Sequence, residues 1–339
     1  MLEIRNGTPF EVALVPGLDR DGVEHATVVV KGTFTLAARG DALPVADRQL
    51  PVALADVHTS DDAAKSSLRC ASEAVPAKGA TDVALVGHAT SPRGAVESLD
   101  VELHVGAVRK VVRVFGDRSW ESHFGIKRPS RPRPFERMPL VYEHAFGGAD
   151  VTHEDPAKHA YEPRNPVGTG FTLARRGTSV KDLPLPNLED PRQLISAPRD
   201  RPAPAGFGFI APGWMPRRGY AGTYDAAWQR ERCPFLPEDF DPRFFQSAHP
   251  DLVHPGHLVG GERVRVVHAL PGGEVGFPVP RRRFEVSVDM RGEVTPHATV
   301  LDTLLIETDE GRVVCTWKAT FPCPRRFLHI DWLRIRETV

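Results

Sequence analysis

The stretch SLDVELHVGAVRKVVRVFGD, residues 98–117, decides the fold class. Its first arm alternates with the period of two of a half-buried strand, placing on one face Leu99, Val101, Leu103 and Val105. Gly106 can adopt the positive φ that the first central position of a type II′ turn requires. With Gly106-Ala107 as the loop, Val101 faces Val112 and Asp100 faces Arg113, so the apolar register and an opposite-charge pair agree. The sequence therefore predicts an antiparallel hairpin.

Strand patterns continue on both sides of this hairpin. Residues 28–36 alternate and are rich in β-branched side chains, and residues 82–90 form a shorter apolar run. Further strands are predicted after residue 262 in ERVRVVHAL, EVGFPV, RRFEVSVDM, ATVLDTLLIETD and GRVVCTWKATF, with FLHIDWLRIRE as an edge strand. We therefore expect a mainly β protein in which an N-terminal half (1–120) and a C-terminal half (262–339) form a sandwich-like or barrel-like body.

The middle of the chain has a different composition. Residues 129–216 hold 15 of the 32 prolines, and residues 207–245 hold 10 of the 26 aromatic residues. TYDAAWQRERC predicts a short helix with Thr223 as its N-cap, and EDFDPRFFQ predicts a second one. We expect residues 121–261 to be a long, ordered, Pro- and aromatic-rich insertion within a single structural unit of 1–339. Its aromatic residues could form a second core, bind a partner, or do both.

Composition excludes several function classes. A formal net charge of −1 gives no reason to expect nucleic acid or an anionic membrane as the main partner. The four cysteines are scattered without CxxC spacing, which indicates neither a disulfide framework nor a zinc knuckle. The N-terminus does not resemble a signal peptide, and no apolar run reaches the roughly 20 residues of a membrane span. These features predict a cytoplasmic protein without membrane insertion.

No catalytic or cofactor motif assembles in the sequence. It contains no nucleotide-binding glycine motif after a strand and no nucleophile elbow. His249, His254 and His257 could chelate a metal, but Pro250 and Pro255 favour a turn over the helix of a metalloprotease site. Cys70 follows Arg69, which could lower its pKa, but it has no identifiable His partner and is more typical of an inert thiol. We expect no cofactor and no enzymatic activity, with a metal-assisted hydrolase using the three histidines as the alternative.

Several motifs together resemble one bacterial family. They include MLEIRNGTPFEVALVPGLDRDG, VVVKGTFTL, KVVRVFGDRSW, MPLVYEHAFGG, RNPVGTGF, LPLPNLEDP and PAGFGFIAPGWMPRRGYAGTYDAAWQRERCPFLPEDFDPRFFQSAHPDL, in this order and over nearly the whole chain. The family is the domain of unknown function numbered twenty-one sixty-nine. The resemblance implies a cytoplasmic adaptor or chaperone of type VI secretion that helps to load an effector, or its PAAR-like domain, onto the spike protein. A structural component of the spike is a further alternative.

The resemblance carries over no catalytic residue. Candidate partner-binding residues lie in the Pro-rich and aromatic segment: Arg164, Asn165, Asn187, Glu189, Asp190, Trp214, Tyr220 and Tyr224. The prolines of DLPLPNLEDP, residues 182–191, would fix an extended segment with Asn187, Glu189 and Asp190 as partner-facing groups. Alternatively, Asn187 and Asp190 cap local turns within the chain.

Overall fold

The protein is mainly β, as predicted. The computed structural model describes residues 2–36, 42–124, 126–174, 179–323 and 327–338. Among these described residues, strands account for 42% and helices for 9%. No helix in the described ranges is both long enough and apolar enough to cross a membrane.

Twenty-five strands lie in the described residues. The first ten are β1 (Glu3–Asn6), β2 (Glu11–Leu18), β3 (Glu24–Thr35), β4 (Val57–His58), β5 (Leu68–Cys70), β6 (Asp82–Val86), β7 (His88–Thr90), β8 (Ser98–Val105), β9 (Val108–Phe115) and β10 (Arg118–His123). Eight short strands follow: β11 (Ile126–Pro129), β12 (Arg137–Pro139), β13 (Phe146–Gly147), β14 (Ala149–Asp150), β15 (Ala160–Tyr161), β16 (Thr169–Gly170), β17 (Pro184–Leu185) and β18 (Leu188–Glu189). The last seven are β19 (Arg263–Val267), β20 (Glu274–Pro278), β21 (Arg283–Met290), β22 (Glu293–Ala298), β23 (Val300–Glu307), β24 (Arg312–Pro322) and β25 (Ile330–Thr338).

Helical structure is short. The described residues contain one α-helix, α1 (Ala226–Glu231), and seven 3-10 helices: Ala63–Lys65, Tyr142–His144, Pro156–Lys158, Arg217–Tyr220, Pro242–Phe245, Pro250–Leu252 and Phe327–His329. The helix predicted in TYDAAWQRERC forms, but its N-cap is Asp225, whose carboxylate accepts the Trp228 N–H at 2.8 Å, and not Thr223. The Asp225 carboxylate, directly before the first turn, satisfies a free N–H group there, while the Thr223 hydroxyl is bonded to Asp239 at 2.7 Å.

Three larger sheets organise the chain. Their strand orders are β2-β3-β24-β23-β6, β18-β9-β8-β19-β20 and β1-β25-β21-β22. Each joins strands from before residue 120 with strands from after residue 262, so the two ends of the chain pair with each other. None of these sheets closes on itself within the described residues, so the barrel-like alternative does not hold.

The hairpin predicted from residues 98–117 is confirmed in its register. β8 and β9 pair with Val105 opposite Val108 and Val101 opposite Val112, and Gly106 has a φ of 55°. Asp100 lies opposite Arg113, and Nη2 of Arg113 donates to the carboxylate at 2.8 Å. One prediction for the tail is wrong. β25 lies inside its sheet between β1 and β21, because β1 pairs with it in parallel, so it is not an edge strand.

One hydrophobic core connects the sheets with the middle segment. Phe284 on β21 packs against Trp317 on β24, with ring centroids 5.1 Å apart. Phe207, Phe209 and Trp214 belong to the same buried cluster. These three aromatic residues of the middle segment therefore extend the main core, while a small separate cluster contains Trp120, Phe146, Val180, Leu185 and Ile195.

Candidate functional site

Two adjoining cavities form a groove along the middle segment. The first, the lysine cavity, has about 640 Å³ and is lined among others by Lys110, Arg164, Asp190 and His249. The second, the arginine cavity, has about 600 Å³ and is lined among others by Arg217, Tyr220, Arg243 and Gln246. Both include Ile210, Pro216 and Pro250 in their walls, so the two cavities adjoin each other. Each volume is typical of a ligand-binding pocket.

Lys110 places a buried charge at the wall of the lysine cavity. It lies on the apolar face of the hairpin, opposite Leu103, and is 6% exposed. Its Nζ is 2.9 Å from Oδ2 of Asp251 and 3.2 Å from Nδ1 of His249. Burial lowers the pKa of Lys110, although Asp251 acts in the opposite direction. The ammonium group thus joins a strand of the sheet to the turn that carries His249 and Asp251.

His249 is held neutral by its surroundings. Burial, together with the charge of Lys110, lowers the pKa of His249 to about 4. Its Nδ1 also accepts the backbone N–H of Asp251 at 3.1 Å and so caps the 3-10 helix Pro250–Leu252. Only an unprotonated Nδ1 can accept this bond, so the cap and the lowered pKa favour the same neutral ring.

The remaining charges of the lysine cavity are paired. Arg164 binds both carboxylate oxygens of Glu162, at 2.7 and 2.8 Å, and its Nη2 also donates to the Pro202 carbonyl at 3.1 Å. Burial acts to raise the pKa of Glu162, but Arg164 outweighs it and holds this pKa below its usual value. Arg192 pairs with Asp190 at 2.7 Å. The cavity therefore has a polar rim with balanced charges above a floor of Pro and Ala residues.

The segment 182–191 is built into the sheets of the protein. β17 pairs with β10, and β18 pairs with β9. Glu189 is 2% exposed, forms an ion pair with Arg118, and accepts the Ile195 N–H at 2.7 Å. Asn187 accepts from His144 at 2.7 Å and donates to the Phe115 carbonyl at 3.1 Å. The expectation that Asn187 and Glu189 face a partner is therefore corrected, since both are buried and use their polar atoms within the chain.

The other candidate residues divide into buried and accessible positions. Asn165 is fully buried and donates to the carbonyls of Tyr142 and Phe146, and Trp214 packs edge-on against Tyr142, so neither reaches a partner surface. Asp190 accepts the backbone N–H of Arg192, so it caps a local turn, as the alternative interpretation expected. Asp190 also lines the groove. Tyr220 lines the arginine cavity. Tyr224 is exposed beside Trp228, outside the residues that line the two cavities.

The three histidines do not converge on a common point. His249 contacts Lys110, His254 is bonded to the Gly256 carbonyl, and His257 is bonded to the Lys78 carbonyl. In the part of the chain that the structure describes, no group of three or more His, Cys, Asp and Glu side chains is arranged to hold a metal ion.

A second set of ionisable groups lies beneath the sheet of β3, β24 and β23, at a cavity of about 310 Å³. Lys78 pairs with Asp82 at 2.8 Å and with Asp302 at 3.1 Å, and Lys318 lies 3.4 Å from Asp302. Nearby, Lys31 pairs with Glu73 at 2.8 Å. The charges of these three lysines and three carboxylates balance, which is the arrangement that a buried ionic network needs for stability.

Cys70 at the edge of this cavity is not an activated thiol. Burial raises its pKa to about 11, with a further contribution from Glu73. The guanidinium of Arg69 is directed away to Glu310, at 3.0 Å. The thiol is therefore protonated at neutral pH, as expected for an inert cysteine.

Sequence reasoning missed three residues that shape the groove. Lys110 carried a signal, because it interrupts the apolar face formed by Val108 and Val112. Arg217 and Ile210 carried no such signal, since nothing in IAPGWMPRRGY, residues 210–220, distinguishes a side chain that lines a cavity from one that does not.

Comparison with models of protein families shows to which family the chain is related. Residues 21–318 match the family model described as "Uncharacterized protein conserved in bacteria (DUF2169)". The chain belongs to the DUF2169 family. This confirms the family named from the motifs. Comparison of this DUF2169 protein with curated proteins and with solved structures gave no match.

Proposed function

We propose that this DUF2169 protein is a non-enzymatic adaptor that holds a segment of a type VI secretion effector, or of its PAAR-like domain, in the groove for loading onto the spike protein. The observation that carries the proposal is the adjacency of the two cavities, which share Ile210, Pro216 and Pro250 in their walls. Two adjoining cavities suit successive side chains of an extended polypeptide better than one compact metabolite. The resemblance of the motifs to secretion adaptors supplies the class of partner.

The chemistry of the groove supports a reversible protein contact. Its floor is apolar and includes Ile210, Ala205 and Pro204, while paired charges such as Arg164–Glu162 and Arg192–Asp190 form the rim. An apolar centre with a polar rim is the usual anatomy of a protein interface. Within this proposal, residues 121–261 are an insertion between the two β halves, and its prolines limit the entropy lost when the partner is bound. Cytoplasmic location and release of the cargo at the spike are parts of the same proposal.

A groove-filling variant tests the proposal. Ala203 is exposed and lines the lysine cavity, so Ala203→Trp places a large ring in the groove without replacing a core side chain. Ala157→Trp is the matched control, because it adds the same ring at an exposed position that does not line the groove. Binding of the purified effector, or of its PAAR-like domain, is measured by isothermal titration calorimetry.

We expect Ala203→Trp to weaken binding by at least about tenfold, or roughly 1.4 kcal/mol, and Ala157→Trp to leave it unchanged. Equal binding by both variants contradicts the groove as the binding site, and absence of any complex contradicts the adaptor function.

Fractionation of a bacterial culture into cells and medium distinguishes an adaptor from a spike component. Recovery of the chain with the effector in the medium favours the spike component.

A further inference from the structure

Arg217 is a buried cation without a counter-ion. It is 6% exposed, and its Nε donates to the Phe244 carbonyl at 2.7 Å while Nη1 donates to the Ile210 carbonyl at 2.8 Å. No carboxylate of the described residues forms an ion pair with it, and its Nη2 has no hydrogen-bond partner among them. Two neutral carbonyls fix the guanidinium in place but leave its charge uncompensated.

The other charges of the arginine cavity do not supply a counter-ion. Arg243 binds Asp241 through Nε at 2.8 Å and lies over the ring of Tyr220, with Cζ 4.5 Å from the ring centroid. These two residues neutralise each other, so the cavity keeps one positive charge, that of Arg217. Burial lowers the pKa of Arg217, and the more distant Asp56 and Asp82 only partly oppose this. An arginine stays protonated even so, and a buried unpaired charge is costly.

The cavity has room for an anion beside Arg217. Its volume is about 600 Å³, and Arg217 shares its wall with Tyr220, Pro242 and Val253. Gln246 lies in the same wall, and its Oε1 is buried without a hydrogen-bond partner. The unpaired Nη2 donor of Arg217, in a cavity with one uncompensated positive charge, fits an anionic group of a ligand.

We propose that the arginine cavity binds the carboxylate of an Asp or Glu side chain of the polypeptide held in the groove, with Arg217 as the residue that pairs with it. This subsite rests on the proposed function. A side-chain carboxylate is favoured over a chain terminus because terminal carboxylates are usually captured by free backbone N–H groups. Here the N–H groups of Ile210, Arg243 and Gln246 are already bonded within the chain.

Capped tripeptides test the chemistry of the subsite. Acetyl-Ala-Glu-Ala-amide carries a side-chain carboxylate alone, acetyl-Ala-Gln-Ala-amide is its neutral counterpart, and acetyl-Ala-Ala carries a terminal carboxylate alone. Binding is followed by NMR through the Nε–H signal of Arg217. We expect saturable binding of the glutamate peptide at least about fivefold tighter than that of the other two. Equal binding of the glutamine peptide overturns the proposal, as does tighter binding of the free terminus or no binding at all.

A variant pair tests the subsite in the intact protein without removing Arg217. Gly79 lines the cavity, is exposed, and has open space where a Cβ would stand, so a longer side chain fits there. Gly79→Glu supplies an internal carboxylate to the cavity, and Gly79→Gln adds the same bulk without charge. We expect Gly79→Glu to weaken capture of the effector by about tenfold relative to Gly79→Gln.

Equal capture by the two Gly79 variants overturns the subsite. If Ala203→Trp still abolishes capture, the groove function stands and only the acidic contact fails. If neither Ala203→Trp nor Gly79→Glu affects a complex that does form, both proposals fail.

Discussion

The ammonium group of Lys110 lies 2.9 Å from the carboxylate of Asp251, and this contact joins the β8–β9 hairpin to a turn in the wall of the groove. Lys110 belongs to a sheet strand and Asp251 to the 3-10 helix Pro250–Leu252. His249 lies against the same ammonium group, at 3.2 Å. The shape of the groove at this point therefore depends on one buried cation and on the protonation of one neighbouring ring.

The protonation of His249 should make the stability of the protein depend on pH. Its folded-state pKa of about 4 is below the ordinary value of 6.5. The stability that comes from the neutral ring is thus fully present above about pH 6.5 and is lost as the pH falls through about 4. Between about pH 7 and pH 4.5, we expect the free energy of unfolding to fall by about 2–3 kcal/mol from this residue.

Chemical denaturation of the wild type and of His249→Gln, at about pH 7 and about pH 4.5, measures this loss of stability. The glutamine carbonyl can replace Nδ1 as the acceptor for the Asp251 N–H but does not titrate. The variant should therefore lose less stability on acidification than the wild type. Identical pH dependence of the two proteins contradicts the assignment.

Replacing Lys110 with an uncharged residue should raise the pKa of His249. Burial is the largest cause of the lowered pKa of His249, and the charge of Lys110 is the next. Lys110→Met keeps a chain of similar length but removes the charge, so we expect the pKa of His249 to rise while remaining below its ordinary value. NMR titration of the imidazole protons measures it. Lys181→Met, at an exposed lysine, is the control and should leave the titration unchanged.

Local patterns in the sequence were sufficient to predict the hairpin but insufficient to predict the groove. The alternation of residues 98–115 and the turn at Gly106 depend on neighbours in the chain, so register and turn could be predicted together. The position of β25 depends on β1, which is more than 300 residues away, and the tail pattern contains no trace of that partner. The two cavities are likewise formed by residues from β9 and from several turns.

Buried and solvated polar residues were also indistinguishable from sequence. Asn187 and Asp190 lie three residues apart in one Pro-rich motif, yet Asn187 is 6% exposed and bonded to His144, while Asp190 lies at the groove. Neither periodicity nor composition separates these outcomes. Lys110 is the exception, since a lysine within an apolar strand face indicates either a buried partner or a break in the pattern.

The buried ionic network predicts a large loss of stability for Asp302→Asn. Burial acts to raise the pKa of Asp302, but Lys78 and Lys318 outweigh it and hold the pKa at about 2. Removing the carboxylate charge leaves two buried lysines with Asp82 alone, so we expect a loss of about 3–5 kcal/mol in the free energy of unfolding. Urea denaturation near neutral pH measures this loss.

Glu310→Gln is the control for the buried network. Glu310 pairs with Arg69 at the surface, where its side chain is 45% exposed, so its loss should cost less than about 0.5 kcal/mol. Since the pKa of Asp302 is lowered, its stabilisation persists above the ordinary carboxylate pKa and disappears only as the pH falls through about 2. A small effect of Asp302→Asn contradicts the assigned network.

Trp214 and Tyr220 should respond differently to replacement by Ala. Trp214 is buried against Tyr142, with ring centroids 5.8 Å apart, so Trp214→Ala should cost about 3–5 kcal/mol and affect binding only through unfolding. Tyr220 is half-buried in the arginine cavity, so Tyr220→Ala should weaken effector capture and cost about 1 kcal/mol through its contact with Arg243. Thermal melting and calorimetric titration of both variants separate the two effects. A stable Trp214→Ala protein with impaired binding contradicts this division.

The turn of the β8–β9 hairpin can be tested at Gly106. Its φ of 55° lies in the left-handed region, where a β-branched residue is strained and Asn is tolerated. An added Cβ would stand 3.4 Å from Glu262, an ordinary contact, so the cost of substitution comes from the backbone and not from a clash. We expect Gly106→Val to lower the free energy of unfolding by about 1–2 kcal/mol and Gly106→Asn by less than about 1 kcal/mol. Denaturant titration of both variants measures the difference, and equal losses contradict the left-handed turn on which the register of the hairpin depends.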